Sequence, residues 1–120
     1  MRDFRQLLVW QKAHELTLEV YRVSRAFPAE EKFGLTGQLR RSAASVPTNL
    51  AEGSGRRSRA EYAHFVGVAC GSALETEYHL LLASDLGYLT PDAYQPLDER
   101  VQEIKRMLAG LSHSLKSPNP

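Results

Sequence analysis

Glu61 and His64 form a Glu-x-x-His motif, the arrangement that di-iron proteins use inside four-helix bundles. Such a centre needs the motif on two helices together with two further inward glutamates, and the chain holds no second copy. Glu61 also follows Ser58 by three residues, where it completes a helix-capping box. We therefore predict no metal and no cofactor, and ordinary first-turn roles for Glu61 and His64.

Two other groups of residues are candidates for catalysis. Glu75, Glu77 and His79 lie close together in the sequence, but nothing marks a nucleophile, a base and an orienting group that converge in space. The glycine-containing segment from Gly53 to Arg57 lacks the preceding strand and the lysine of a phosphate-binding loop. These patterns predict a protein without catalytic residues or a small-molecule substrate, hence not an enzyme.

Arginine is concentrated in the middle of the chain, where five arginines fall within twenty residues. They are Arg40, Arg41, Arg56, Arg57 and Arg59. Because helix N-termini also attract anions, the group predicts a phosphate-binding corner, which Glu52 and Glu61 dilute. A solvated, arginine-rich turn is the alternative interpretation. Without aromatic residues interleaved, any RNA contact is expected to be directed at the backbone and poorly sequence-specific.

A polar stripe accompanies the apolar residues of the same region at helical spacing. Its members are Gln38, Arg41, Ser45, Asn49 and Glu52. If the stripe faces inward, Ser72 and Glu75 of the next helix are its expected partners. A buried network that fixes helix register is the favoured interpretation, because each unpaired polar group there would cost about 1–3 kcal/mol. A ligand-binding surface is the alternative.

Four helices must position these residues, and we predict them at 7–26, 34–52, 58–86 and 93–115. In the first, apolar residues from Val9 to Phe27 recur every three or four positions, and Pro28 ends the pattern. In the second, the pattern continues in phase beyond Pro47, which predicts a kink, and Gly53 is expected to end the helix. A capping box begins the third helix and Thr90-Pro91 begins the fourth.

The fourth helix carries the clearest heptad pattern. Its members are Tyr94, Leu97, Val101, Ile104, Leu108, Leu111 and Leu115. Because the connections are short and no segment alternates like a strand, the four helices predict an all-α fold. The architecture expected is an up-and-down antiparallel four-helix bundle, in one domain over residues 1–120.

Composition agrees with a folded, non-membrane protein. Of 120 residues, 42% are hydrophobic and 24% charged, and the formal net charge of +1 is too small to predict nucleic-acid binding by itself. Cys70 is the single cysteine, and the apolar run from Leu7 to Trp10 is too short for the core of a signal peptide. A cytoplasmic location without membrane attachment is therefore expected.

Two helices carry more apolar surface than one bundle needs. Leu80, Leu81 and Leu82 together cover roughly 200° of arc around the third helix at 100° per residue. Leu8, Trp10 and Tyr21 lie off the main stripe of the first. Self-association is therefore predicted, and wide contacts between the helices of one chain are the alternative.

Several segments carry a family resemblance. Three stretches resemble the 23S rRNA intervening sequence proteins: Phe4 to His14, Phe27 to Thr36, and above all Gln38 to Arg56. The last of them contains Ser45-Val46-Pro47-Thr48-Asn49-Leu50-Ala51-Glu52-Gly53. The segment Ala69-x-Gly71-Ser72-x-x-Glu75 is similar to the third-helix signature of that family. The resemblance extends from Phe4 to about Lys116.

The resemblance implies a four-helix monomer that assembles as a homopentamer. Some members are encoded within inserts of ribosomal RNA genes. Relatives serve as accessory proteins of diversity-generating retroelements, where a basic pentamer engages a reverse transcriptase and RNA; this chain departs from them in its near-neutral charge. For most members no activity is established.

The function expected from the sequence is therefore a non-catalytic, homo-oligomeric scaffold that binds structured RNA or a ribonucleoprotein. A protein–protein interaction module without nucleic acid is the alternative.

Overall fold

Four helices account for most of the chain in a computed structural model, which describes residues 3–117. They are α1 (Leu8–Ser24), α2 (Leu35–Ser54), α3 (Arg59–Asp85) and α4 (Pro91–Lys116), and 3-10 turns at Phe4–Gln6 and Ala29–Glu31 precede α1 and α2. Consecutive helices pack side by side, and α1 also contacts α4, so α1 and α3 occupy diagonal corners. The predicted all-α, up-and-down four-helix bundle is confirmed.

The predicted apolar stripes form the core. Val9, Ala13, Leu16 and Val20 of α1 are buried, as are four heptad positions of α4. Leu39, Leu50 and Leu80, from α2 and α3, are among the fully buried side chains. Each helix therefore turns the face that its sequence predicts toward the others. No helix in the described range is both long and apolar enough to cross a membrane.

Helix α2 continues through Pro47, the position where the sequence predicts a kink. A proline has no N–H to donate, so the carbonyl of Ala43, four residues earlier, loses its helical hydrogen bond. The Thr17 hydroxyl of α1 lies 3.1 Å from that carbonyl oxygen and 2.8 Å from the carbonyl oxygen of Ala13. A side chain of the neighbouring helix thus serves the acceptor that Pro47 leaves open.

Gly53 does not end α2, as the sequence predicts, but lies inside the helix, and α2 ends at Ser54 rather than residue 52. The only positive φ among the described residues is that of Gly87. A Cβ atom on Gly53 would lie 2.9 Å from both Phe65 Cβ and Tyr62 Cδ1. Glycine is needed here because α3 crosses α2 at close range.

The other helix ends lie within two residues of their predicted positions. The Ser58 hydroxyl accepts from the Glu61 amide at 3.1 Å, so the predicted N-cap forms. The Glu61 carboxylate reaches back to Ser58 but accepts from its hydroxyl, at 3.2 Å, and not from its backbone amide. Gly87 ends α3 with φ of 80°, and the amide of Tyr88 donates to the Ala83 carbonyl in a Schellman arrangement. The single-domain prediction also includes residues 1–2 and 118–120, which lie outside the described range, and stays a prediction.

Candidate nucleic-acid interface

The predicted polar stripe of α2 divides along its length. Gln38, Arg41 and Glu52 are exposed, whereas Ser45 and Asn49 are half-buried. The Ser72 hydroxyl donates to Ser45 Oγ at 2.8 Å, and Asn49 Nδ2 donates to the same oxygen at 2.9 Å. Of the two expected partners on α3, Ser72 therefore joins the stripe. The other, Glu75, is exposed.

A buried polar cluster that sequence reasoning missed lies beside this contact. Ser42 Oγ lies 3.1 Å from His79 Nδ1, and Thr76 Oγ1 donates to Ser42 Oγ at 3.0 Å. Ser42 lies on the apolar stripe, and His79 stands out in sequence mainly through its neighbours Glu75 and Glu77. One sequence signal could have revealed the cluster. Ser72, Thr76 and His79 recur on α3 at helical spacing, as the polar residues do on α2.

His79 gives the cluster a pH dependence. Burial lowers the pKa of its imidazole below the ordinary value of 6.5; the nearby Glu75 carboxylate opposes this shift, and Arg41 reinforces it. As pH falls below 6.5, the unfolded chain takes up the proton before the folded chain does. The contribution of His79 to the free energy of unfolding is therefore full above pH 6.5 and falls as the solution is acidified toward the lowered pKa.

Chemical unfolding at a series of pH values measures this effect. His79→Gln keeps a hydrogen-bonding side chain without a titrating group, so its stability should fall less on acidification than that of the unmodified protein. His64→Gln, the same substitution at an exposed position, is the matched control. Identical profiles for His79→Gln and the unmodified protein would contradict the assignment.

The five arginines do not form one corner. Arg40 lies in the second turn of α2 and Arg56 lies two residues beyond its end, so roughly 20 Å of helix at 1.5 Å per residue separates them. Arg59 donates to the carbonyl oxygens of Ser114 and Ser117 at 2.5 and 3.2 Å, so it holds the C-terminal end of α4. Sequence proximity misled here because a helix of this length separates its two ends.

The remaining four arginines differ in their contacts. Arg40 donates to Ser24 Oγ at 2.8 Å and places its guanidinium 4.8 Å from the centre of the Tyr21 ring. Arg56 pairs with Glu52 at 3.2 Å, and its guanidinium lies 4.7 Å from the centre of the Phe65 ring. The other two, Arg41 and Arg57, are exposed and form no ion pair with the described residues.

The net charge of +1 conceals a strong separation of charge. Residues 60–99, which comprise nearly all of α3 and the start of α4, contain seven aspartates and glutamates and no lysine or arginine. All 15 lysines and arginines lie in the rest of the chain with seven acids, which gives that part a net charge of +8. Residues 1–59, which include α1 and α2, hold eleven of these cations with six acids, and residues 100–120 hold the other four with one acid. Most of the excess positive charge, which attracts anions, therefore belongs to the α1–α2 part of the chain.

An open groove of about 470 Å³ runs between α1 and α2 on this side. One wall is formed by Trp10, His14 and Thr17 of α1. The facing wall and floor come from α2: Ala44, Pro47, Thr48, Ala51 and Glu52. The Trp10 and His14 rings stack at 4.9 Å with 11° between their planes, and the Phe4 ring meets Trp10 edge-on at 4.9 Å. Sequence analysis predicts no aromatic platform near the arginines, whereas the rings of α1 and of the turn before it form one along this groove.

The remaining side chains that could bind a metal or react form no site among the described residues. Among residues 3–117, no three histidine, cysteine or acidic side chains are grouped so that they could hold a metal ion. Glu61 is occupied in the cap of α3. Cys70 is half-buried, and burial raises the pKa of its thiol, which leaves less of the reactive thiolate at neutral pH.

Comparisons with known proteins agree with this fold. The family model described as "23S rRNA-intervening sequence protein" matches residues 5–110. A crystal structure of a protein of unknown function from the S23 ribosomal protein family of Bacteroides thetaiotaomicron is similar, with a TM-score of 0.82 and 27% identity. The match covers 88% of this chain and 96% of that one. No curated protein matches the chain. The family match includes α1, α2, α3 and most of α4, and the chain belongs to the 23S rRNA-intervening sequence protein family.

Proposed function

We propose that this protein is a non-catalytic, homo-oligomeric helical scaffold, a pentamer as the family resemblance implies, which binds RNA through arginines on its α1–α2 side. The separation of charge between the α1–α2 part of the chain and residues 60–99 carries the proposal, because it provides cationic surface despite a near-neutral chain. Ser42 and His79 form a serine–histidine contact, but both side chains are buried, which keeps them from a substrate.

Apolar surface on α3 supports self-association. Leu74, Tyr78 and Leu81 are between 43% and 58% exposed and form a row at spacings of four and three. Gly67 and Gly71 continue this row toward the start of α3 with open space around them, and residues 60–99 contain no lysine. A stripe of this kind is typical of a surface that a partner covers.

Exposed apolar residues on α1 supply a complementary surface. Leu8 and Leu18 project from this helix, which stands at the corner diagonal to α3. Two different patches on opposite sides of a protomer suit head-to-tail contacts that close into a ring. The acidic character of α3 and the arginines near the end of α1 favour the same pairing.

Sedimentation analysis tests the assembly. We expect a particle near five times the 13.4 kDa monomer mass. Leu74→Glu places a charge in the proposed interface and should dissociate it, whereas Gln95→Glu adds the same charge at an exposed position of α4 and should leave the assembly intact. A monomer at tens of micromolar would contradict self-association.

RNA binding is proposed to depend most on Arg56 and Arg57 at the turn after α2. Arg57 has no acidic partner among the described residues, and the pairing of Arg56 with Glu52 is a surface contact that a phosphate can displace. Arg41 is exposed at the other end of α2 and adds a second cation. Arg59 contributes indirectly by holding α4 in place.

Filter binding at several salt concentrations tests this proposal. Affinity for RNA should fall steeply with salt, and Arg56→Ala combined with Arg57→Ala should make the log–log slope shallower by roughly 1.5, for two lost phosphate contacts. Arg106→Ala, an exposed arginine on α4, is the control and should change the slope little. Weak binding that is insensitive to both salt and the double substitution would refute RNA binding.

The apolar stripe of α3 also favours a second candidate, a protein-interaction module without nucleic acid. A single protein partner that is retained by the oligomer after nuclease treatment and lost in Tyr78→Glu would support this alternative.

A further inference from the structure

We infer that the groove between α1 and α2 is a stacking site for the unpaired bases of single-stranded RNA. The inference rests on the proposed RNA binding and adds the part of the RNA that is recognised. It depends on a row of rings that only the packed helices bring into line with the arginines.

The rings lie on one face of α1. Trp10, His14 and Tyr21 follow at spacings of four and seven, so they share the side that faces α2, and the Phe4 ring extends the row beyond Trp10. The groove beside them presents mostly carbon to solvent, with Pro47 and two alanines of α2 in its lining. A planar, apolar surface of this kind suits the face of a nucleobase, which binds by stacking regardless of base identity.

Cations lie at both ends of the row. At one end the guanidinium of Arg40 stacks on the Tyr21 ring. At the other, the guanidinium of Arg5 lies 5.1 Å from the centre of the Phe4 ring, and Arg56 binds Glu52, which lines the groove. The two arginine groups that the sequence suggested as one corner therefore lie at the two ends of the row of rings. This arrangement places phosphate-binding groups along a strand whose bases enter between them.

Charge and shape select this occupant. The cations at the two ends of the groove belong to the part of the chain that holds every lysine and arginine, as a polyanion requires. Two other hollows lie next to Arg100, one formed by α4 alone and one by α1 and α4. Most of the side chains that line them are charged, and neither hollow contains an aromatic ring. Duplex RNA keeps its bases stacked inside the helix, so it cannot present a base face to the groove.

Fluorescence of Trp10, the single tryptophan, provides a direct test. A short oligouridylate should quench or shift its emission, whereas inorganic polyphosphate and the duplex formed with oligoadenylate should not. Equal quenching by polyphosphate would overturn the inference. So would an emission change that follows protein concentration in the absence of RNA, because a second copy of the chain would then occupy the groove.

Tyr21→Ala tests the row of rings by affinity, because Tyr21 continues the row beyond the residues that line the groove. Tyr21 is exposed, so the variant should fold, and loss of one stacking ring should raise the Kd for oligouridylate about tenfold. Phe33→Ala is the matched control, because Phe33 is also an exposed ring beside a cation, Lys32, but lies outside the groove. The Kd of Phe33→Ala for oligouridylate should stay unchanged.

The outcomes separate the two proposals. If oligouridylate binds in an Arg57-dependent manner while Tyr21→Ala matches Phe33→Ala and Trp10 emission is constant, base stacking is refuted and phosphate binding stands. If no RNA binds at low salt, both proposals fail.

Discussion

Gly53→Val is expected to destabilise the folded protein by about 3 kcal/mol. The first added carbon would already lie 2.9 Å from Phe65 Cβ and 3.3 Å from the carbonyl oxygen of Tyr62. Those atoms are fixed to the backbone of α3, so they can yield only if α3 moves away from α2. The separation would also strain the Ser42–Thr76 contact, because it bridges the same two helices.

Gly110→Val provides the matched control. Gly110 lies in α4 with no neighbouring atom within 4 Å of an added Cβ, and valine is the better helix former by a few tenths of a kcal/mol. Thermal unfolding should therefore show a midpoint lowered by about 10 °C for Gly53→Val and nearly unchanged for Gly110→Val. Equal midpoints for the two variants would contradict the close approach of α3.

Thr17→Val is expected to destabilise the protein by about 1–2 kcal/mol. Valine has the shape of threonine without its hydroxyl, so packing beside α2 is retained while the Ala43 carbonyl loses its donor. Pro47 cannot supply a replacement N–H, and Thr17 and Ala43 are both buried, so solvent has little access to that oxygen. Urea unfolding measures the free-energy difference.

A double-mutant cycle shows whether Pro47 is the cause. Pro47→Ala restores the N–H that can reach the Ala43 carbonyl, so Thr17→Val should cost clearly less in that background than alone. The residual cost reports the second contact of the hydroxyl, with the Ala13 carbonyl. Strict additivity of the two substitutions would show that the hydroxyl does not compensate for the proline.

The substitutions at Gly53 and Thr17 also affect the candidate site. Thr17 and Pro47 line the α1–α2 groove, and Gly53 sets the distance of α3 from the end of α2 that carries Glu52. If either variant folds, its Trp10 emission should therefore be measured as well as its stability.

The sequence by itself determined the four helices, their buried faces and the family. Apolar spacing on α1 and α4, the cap at Ser58 and the stop at Gly87 each depend on residues within a few positions of one another, so one helix at a time carries the necessary information. Short connections then leave an antiparallel bundle as the expected arrangement. The distribution of charge was also readable from sequence, in the absence of lysine and arginine from residues 60–99.

The tertiary structure decided which residues act together. The arginines separated because a twenty-residue helix lies between them, while Trp10 and Tyr21 came into line with Arg40 and Arg56 because α1 packs antiparallel along α2. Gly53 changed from a helix end to a packing site because its neighbours Tyr62 and Phe65 belong to another helix. The Ser42–His79 contact joins residues 37 apart in the chain. Such contacts depend on the register between helices, which side-chain packing sets and local periodicity does not encode.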